Sequence, residues 1–310
     1  VATLTRPRTA PAHASPKGKV RSRDGLWAAF FLAPQVIGLI VFLVVPLGFA
    51  LVLAFMKWDG LGNQSWVGFD NFAAQLGDPE FGRAVWNTVK IALITVPIGL
   101  SLAVLIAVGL NSIKGGNFYR VLYFMPVVTS SVAVALIWQV ILANDENGVL
   151  NTSLKNWFGI TAPDWLGSPQ WVVVSIAVVT IWSSLGLNVV IFMAGLQTIP
   201  PQVFEAARID GASPVQIFRR VTLPLLSPTI FFSTIVAVIS SLQAFDLIYV
   251  LVDPKDNEGA QTIVFRVFEL GFQKFEFGMS SAASILLLLL TLIVTLVQFA
   301  AQKRFVHYDS

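Results

Sequence analysis

The 310-residue chain contains no cysteine and only two histidines, His13 and His307. The first absence excludes disulfides, thiolate metal ligands and cysteine nucleophiles. The second leaves little material for a histidine-based metal site, since both histidines lie near the termini. Charge is scarce as well. Asp, Glu, Lys and Arg together make up 12% of the chain, about half the share found in ordinary soluble domains. No Gly-rich loop ends in Gly-Lys-Ser/Thr, so the usual phosphate cradle for ATP is missing. Nor is there a long basic arm or the aromatic-basic interleaving that nucleic acid calls for. What remains is apolar: 55% hydrophobic residues, 24 Phe and 9 Trp, with mean hydropathy +0.75. This composition reads as an all-α, polytopic membrane protein.

Six stretches are long enough to cross the roughly 30 Å hydrocarbon layer as helices, each needing about 20 residues. They run near Trp27–Met56, Thr88–Leu110, Tyr119–Leu142, Trp171–Leu196, Leu226–Val252 and Ser280–Ala301. The first follows a basic stretch but exceeds a usual signal-peptide core, so a retained span is expected. Pro34, Pro46, Pro97 and Pro126 fall within these stretches and are compatible with kinked membrane helices.

Loop charge orients the set. Residues 1–25 carry six Lys or Arg against Asp24, and the second connection carries Lys114 and Arg120. The fourth carries Arg208, Arg219 and Arg220, and the C-terminal tail Lys303 and Arg304. The first, third and fifth connections hold more acids than bases. Both termini and the fourth connection are therefore expected in the cytoplasm. The expected organisation is a basic tail (1–25), a six-span domain (26–302) containing a cytoplasmic loop at 197–225, and a short tail (303–310). The polar segments 142–168 and 253–279 are expected on the other face, with Trp157, Phe158 and Trp165 packed over its mouth.

The fourth connection has the most legible local pattern. Pro200 and Pro201 can end one helix and start another. Val203, Ala206 and Ala207 recur at helical spacing, and Glu205 and Arg208 stand close enough to pair. Gly211 suits a left-handed helix stop. Ser213 followed by Pro214 suits an N-cap and first helical position. These features alone fit either an ordered interfacial loop or a docking handle for a soluble protein.

The same residues carry a family resemblance. Glu205-Ala206-Ala207, Gly211, Val221, Leu223 and Pro224 resemble the cytoplasmic signature of ABC importer permeases, with Val221 where Ile is usual. Trp66-Val67-Gly68-Phe69-Asp70-Asn71-Phe72, Trp86-Asn87-Thr88, Leu122 to Pro126, Gly148 to Asn151, Phe245 to Tyr249 and Phe277-Gly278 resemble the carbohydrate-uptake class, which includes maltose-, lactose- and glycerol-phosphate-type permeases. The resemblance implies a type I importer fold with six transmembrane helices. It implies ATPase coupling through Glu205, Ala206, Ala207, Gly211, Val221, Leu223 and Pro224, with sugar translocation driven by hydrolysis elsewhere. The implied partners are a second homologous permease, two cytoplasmic ABC ATPases carrying ATP and Mg, and an extracytoplasmic sugar-binding protein. The implied setting is a bacterial cytoplasmic membrane with its lipid. No cofactor, metal or catalytic residue is expected on this chain.

Polar groups inside spans are costly unless they pair or line water. Thr180, Trp182, Ser183, Ser184 and Asn188 in the fourth span, and Ser240, Ser241, Gln243 and Asp246 in the fifth, supply hydrogen-bonding and aromatic surface suited to sugars. Such serines also commonly bond to their own helix backbone. Register carried over from maltose-type permeases points to Thr180, Ser183, Ser184, Leu187, Ala237, Ser240, Ser241 and Ala244. Leu187 and Ala244 offer no side-chain hydrogen bond, which argues against maltose itself. Asp246 reads as an anchor facing an aqueous vestibule or as a sugar contact. A glycerol-phosphate permease, an ion-coupled secondary transporter and a membrane scaffold are the competing readings; the secondary transporter should show paired repeats or charged broken spans.

Overall fold

The structure is a computed structural model and describes residues 22–62, 64–111, 125–145 and 148–305. The chain divides into two compact units, Val1–Ala50 and Leu51–Ser310.

In the first unit, helix α1 (Ser22–Leu39) passes through a π-helical turn at Ile40–Val44 into α2 (Val45–Leu53), which runs on beyond the unit. Pro46 accounts for the widened turn: it has no N–H to give the carbonyl four residues back, and an extra residue relieves the resulting clash. Trp27, Phe30 and Phe31 form a small ring cluster. Almost every large apolar side chain of this unit is exposed, as suits a helix whose surroundings are lipid.

The second unit opens with a two-residue antiparallel ribbon, β1 (Met56–Lys57) against β2 (Ser65–Trp66). It is the one departure from an all-α fold among the described residues. Helix α3 (Asp70–Gly77) is tied to it through Asn71, whose buried amide donates to the carbonyls of Ala54 and Met56 at 2.9 Å each. Four helices follow: α4 (Pro79–Asn111), α5 (Ser131–Leu142), α6 (Val149–Phe158) and α7 (Val172–Gln197). After them come α8 (Pro201–Ile209), α9 (Pro214–Ile217), α10 (Leu223–Leu242), α11 (Asp246–Leu251), α12 (Ile263–Phe268) and α13 (Phe277–Phe305).

Five described helical stretches are long and apolar enough to cross a membrane: 25–53, 79–111, 172–197, 214–242 and 277–302. The expected third span, 119–142, lies partly outside the described residues. Its described part includes the 12-residue apolar α5. The expected fifth span, 226–252, is not one helix. It breaks at Gln243–Phe245, between α10 and α11, where Phe245 leaves helical geometry with φ −138° and ψ −62°.

Helices α4, α7 and α10 form the middle of the unit. Toward the end of α7 that leads into α8, Ala103, Ala107, Phe192, Leu196 and Leu226 make a sealed apolar core. Small residues set the spacing. A Cβ on Gly195 would fall 2.6 Å from Thr229 Oγ1 and 2.9 Å from Leu226 Cδ1, so α7 and α10 approach as closely as they do only because that Cβ is missing. A second core, around Ile91, Val134, Ile176 and Ile248, lies toward the other end. There tertiary hydrogen bonds replace small residues. Asn87 donates to the carbonyls of Glu258 and Gln261, Gln139 to those of Val250 and Leu251, and Asn257 to that of Leu166.

The same end carries an ion-pair network. Arg266, nearly buried, meets Asp78, Glu80 and Glu269, and Lys274 meets Glu269 at 2.9 Å. Burial works to lower the Arg266 pKa, but Glu269, Asp78 and Glu80 outweigh it and hold the guanidinium above its ordinary value. Burial likewise works to raise Glu269, and the bonds and charges of Lys274 and Arg266 outweigh that, holding its carboxyl below the usual range. Trp165 packs against the nearby core as expected, whereas Trp157 and Phe158 stand 77% and 68% exposed. Those two side chains therefore do not form the packed cover expected of them. They lie at the C-terminal end of α6, just before the left-handed stop at Gly159.

Candidate functional site

Two features of the second unit are candidates for function: the α8–α9 loop and a cleft between α4, α7 and α10. Helix α7 connects them.

The loop is built almost entirely by its own residues. Pro201 occupies the first turn of α8, where a missing N–H costs nothing. The helix ends in a complete Schellman arrangement: Ala212 N–H donates to Ala207 O at 3.0 Å, Gly211 N–H to Arg208 O at 3.1 Å, and Gly211 takes φ +75°. Ser213 then caps α9 through a capping box. Its Oγ accepts from Gln216 N–H at 3.4 Å, while Gln216 Oε1 accepts from Ser213 N–H at 2.7 Å. A π-helical turn, Phe218–Thr222, leads into α10 ahead of Pro224.

The side chains that seat this loop are ones sequence reasoning passed over. Phe204 and Phe218 pack against the core around Phe192 and Leu226. The aromatic at i−1 of Glu205 was the available signal. Ala207 is half-buried, but Val203 and Ala206 stay exposed, so the expected apolar face is divided between the protein and its surroundings. Ile209 and Val215 join the outward face at 86% and 62% exposure. Glu205 and Arg208 form no ion pair with each other. Glu205 stands exposed, Val221, Leu223 and Pro224 are half-buried, and no atom lies within 4 Å of the space a Gly211 Cβ would fill.

The cleft has a volume of about 140 Å³. Of the pathway residues expected from sequence, it gathers Thr180, Ser184, Leu187 and Asn188 from α7 with Ala237, Ser240 and Ser241 from α10. Helix α4 adds Thr95 and Gly99, which sequence reasoning did not single out; a hydroxyl in the middle of a long apolar helix was the signal. Thr95 Oγ1 donates to Ile91 O at 2.7 Å and lies 3.1 Å from Ser241 Oγ, a link between α4 and α10. Ser184 donates to Thr180 O at 2.9 Å, and Asn188 to Ser184 O at 3.2 Å. Among the described residues, no hydrogen bond engages the hydroxyls of Thr180 and Ser240, which leaves them available to a ligand. No charged residue is among the described residues that line the cleft.

Five expected pathway residues lie outside that lining. Ser183 donates to Thr180 O at 3.0 Å, the local backbone bond common for serine in apolar helices. Trp182 meets Trp138 edge-on, with ring centroids 5.7 Å apart. Ala244 packs with the core around Ile176 and Ile248. Gln243 ends α10 and Asp246 begins α11, both exposed at the break in the fifth expected span. The segment Leu122 to Pro126, part of the resemblance, lies mostly outside the described residues. No group of three or more metal-ligating side chains occurs among the described residues.

Comparison with known proteins agrees with this geometry. The family described as "Binding-protein-dependent transport system inner membrane component" matches residues 95–307. The chain is 34% identical over 305 residues to the probable ABC transporter permease protein YesP of Bacillus subtilis, covering 96% of this chain and 97% of that protein. It is 32% identical to the sn-glycerol-3-phosphate transport system permease protein UgpA of Brucella abortus, covering 94% of this chain and 99% of that one. Among solved structures it resembles a chain of a bacterial alginate ABC transporter, crystallised in complex with an alginate pentasaccharide-bound periplasmic protein. The TM-score is 0.82 at 25% identity, over 93% of this chain and 98% of that one. The family match over residues 95–307, the 34% identity over 96% of the chain and a fold shared over 93% of it place this chain, a multi-pass membrane protein, in the binding-protein-dependent transport system inner membrane component family.

Proposed function

We propose that this chain is the permease subunit of an ABC importer that moves a saccharide, with ATP hydrolysis supplied by separate subunits. The observation that carries this reading is α7 itself. Its middle turns, Thr180 to Asn188, line an uncharged, hydroxyl- and amide-bearing cleft, and its C-terminal end runs directly into the α8–α9 loop. A rigid helix of 26 residues spans about 39 Å, so a push at the loop is felt at the cleft. Amide and hydroxyl groups in an otherwise apolar setting suit the hydroxyls of a neutral sugar. The absence of Lys and Arg from the lining disfavours a phosphorylated or other anionic cargo as the species held there.

In this reading the loop at 197–225 is cytoplasmic and seats in a soluble ATPase, which binds ATP and Mg. Ile209, Val215, Val203 and Ala206 supply the apolar contact, Gly211 the tight stop and Glu205 a charge-bearing brace. A second permease covers the open side of the cleft, and an extracytoplasmic binding protein delivers the cargo. The similarity to the glycerol-3-phosphate permease supports a second reading within the same class, and the uncharged cleft weighs against it.

The test is reconstitution with the neighbouring-gene permease, ATPase and binding protein in vesicles. ATP-dependent uptake is then measured for labelled maltotriose, arabinotriose, an alginate trisaccharide and glycerol 3-phosphate. Uptake of a saccharide, abolished by Ser240→Leu together with Thr180→Leu, supports the proposal. Uptake of glycerol 3-phosphate alone overturns it in favour of the second reading.

A further inference from the structure

The part of the central cleft that this chain lines is smaller than the cargo it is proposed to pass. At about 140 Å³ it falls well below the roughly 300–1,000 Å³ of ordinary small-molecule sites. Within this chain, α4, α7 and α10 supply its described lining, and in the proposed assembly a second permease covers its open side. Two larger grooves open near the other end of the unit, each of about 510 Å³, and they differ in chemistry.

The groove beside β1 and the start of α13 includes Lys57, Asp59, Asp70 and Glu276 in its lining. Its one amide, Asn71, already holds the carbonyls of Ala54 and Met56. The Asp59 carboxylate already accepts from Leu61 and Gly62 N–H at 3.0 and 2.7 Å, bonds that hold its pKa below the ordinary value. That groove is occupied with its own structure.

The second groove, formed by α6 and the segments before and after it, presents three amides, Asn144, Asn151 and Asn156, with Asp145, Thr152, Lys155 and Thr161; Asp145 and Thr152 already have partners of their own. Amides both donate and accept, which matches sugar hydroxyls, since these do the same. One amide is fixed in place. Asn151 Oδ1 accepts from Trp165 Nε1 at 2.6 Å, and its Nδ2 donates to Asn144 Oδ1 at 3.2 Å. Trp165 is itself packed on the core beside α7. By contrast, no hydrogen bond or ion pair engages the side chains of Lys155 and Asn156 among the described residues, and both are exposed. The groove therefore has a pinned wall and free polar ends, at ligand size.

We infer that the Asn144–Asn151–Asn156 groove is a receiving subsite for saccharide, occupied before the central cleft. The inference rests on the reading of the chain as a sugar permease and adds a second, peripheral station to it. Cargo held here lies at the head of α7, so its release inward coincides with movement of the same helix that carries the α8–α9 loop.

The absence of native cysteine makes the test clean. Asn156→Cys is introduced into the full reconstituted complex without binding protein, and its alkylation by a maleimide is timed. The probes are maltotriose, arabinotriose, an alginate trisaccharide and glycerol 3-phosphate. Slowing of alkylation several-fold by the saccharide that the unaltered complex transports, and not by the others, is the expected result. In parallel, Lys155→Ala with Asn156→Ala should raise the half-saturating concentration for that protection, read at an Asn144→Cys reporter, by about tenfold. Transport of a saccharide that leaves alkylation unchanged overturns the inference and spares the permease reading. Protection by sugar-free binding protein alone overturns it too, and marks the groove as a protein-docking surface. Failure of the unaltered complex to transport any of the three saccharides overturns the permease reading and this inference with it.

Discussion

The two ends of α7 are held by different physics. At the α8 end, the loop closes its own hydrogen bonds within a few residues: a Schellman stop at Gly211 and a capping box between Ser213 and Gln216. At the other end, order comes from residues far apart in sequence: Asn257 on Leu166, Asn87 on Glu258 and Gln261, and Arg266 on Asp78. A self-capped loop keeps its shape while the rest of the protein moves, which is what a lever needs. A tertiary network keeps its shape only while its parts stay together, and so it can open.

Breaking the network should have the largest effect on stability. Arg266→Met leaves Asp78, Glu80 and Glu269 without their shared cation. Loss of one partner from a largely buried cluster costs about 3 kcal/mol, at the low end because Glu80 is half exposed. The check is a lowered unfolding temperature in detergent, with Arg266→Lys partly restoring it. An unchanged melting temperature would show that the network is ornamental.

The loop should respond in the opposite way, with function lost and fold retained. Gly211→Val forces a β-branched residue into φ +75°, a local cost of about 1–2 kcal/mol, with no clash inside this chain because the space is open. The expected outcome is membrane-inserted protein of near-normal stability with uptake reduced at least about tenfold and substrate-stimulated ATPase activity lost. Normal stimulated activity would remove the loop from the coupling role. Ser213→Ala removes one cap and should cost about 1 kcal/mol locally, visible as faster amide exchange over residues 215–217 and a smaller transport defect.

The smallest effect concerns pH. The folded state holds the Glu269 pKa below its ordinary value. Its contribution to stability is therefore complete above the usual carboxylate range and fades as pH falls through the depressed folded value. A melting-temperature profile between about pH 3 and 6 should flatten in Glu269→Gln, while the same profile for Ser213→Ala keeps the native slope. Parallel profiles in all three proteins would contradict that assignment.

This contrast also explains what could be read in advance. The α8–α9 loop was legible because its determinants are local: Pro201, Gly211, Ser213 and Pro214 sit where their backbone preferences place them. Long apolar helices were legible for the same reason, through length and composition. The break between α10 and α11 was not, because Gln243-Ala244-Phe245 carries no Pro or Gly, and Phe245 there packs on Phe268, which is distant in sequence. The seating of the loop was missed because Phe204 and Phe218 reach residues on α4 and α7 more distant in sequence. Within the candidate pathway, the residues facing the cleft could be named only by register. Whether a serine turns to its own helix, as Ser183 does, or spans to a neighbour, as Ser241 does to Thr95, is settled by side-chain geometry.

The π turn at Phe218–Thr222 has a consequence for how the loop and α10 are phased. An α-helix advances about 100° per residue, and a π turn absorbs one additional residue without lengthening the helix in proportion. Thr222 Oγ1 lies 3.4 Å from Ile217 O, five residues back, in the spacing of that wider turn. Removing a single residue here would let the turn tighten to ordinary α-helix with little change of phase, whereas removing one from the regular helix at residues 225–235 would leave every cap and every pathway side chain in place, yet rotate the outward face of Ile209 and Val215 by about a quarter turn relative to Ser240 and Ser241. The lever would still be rigid and still be attached, but aimed the wrong way.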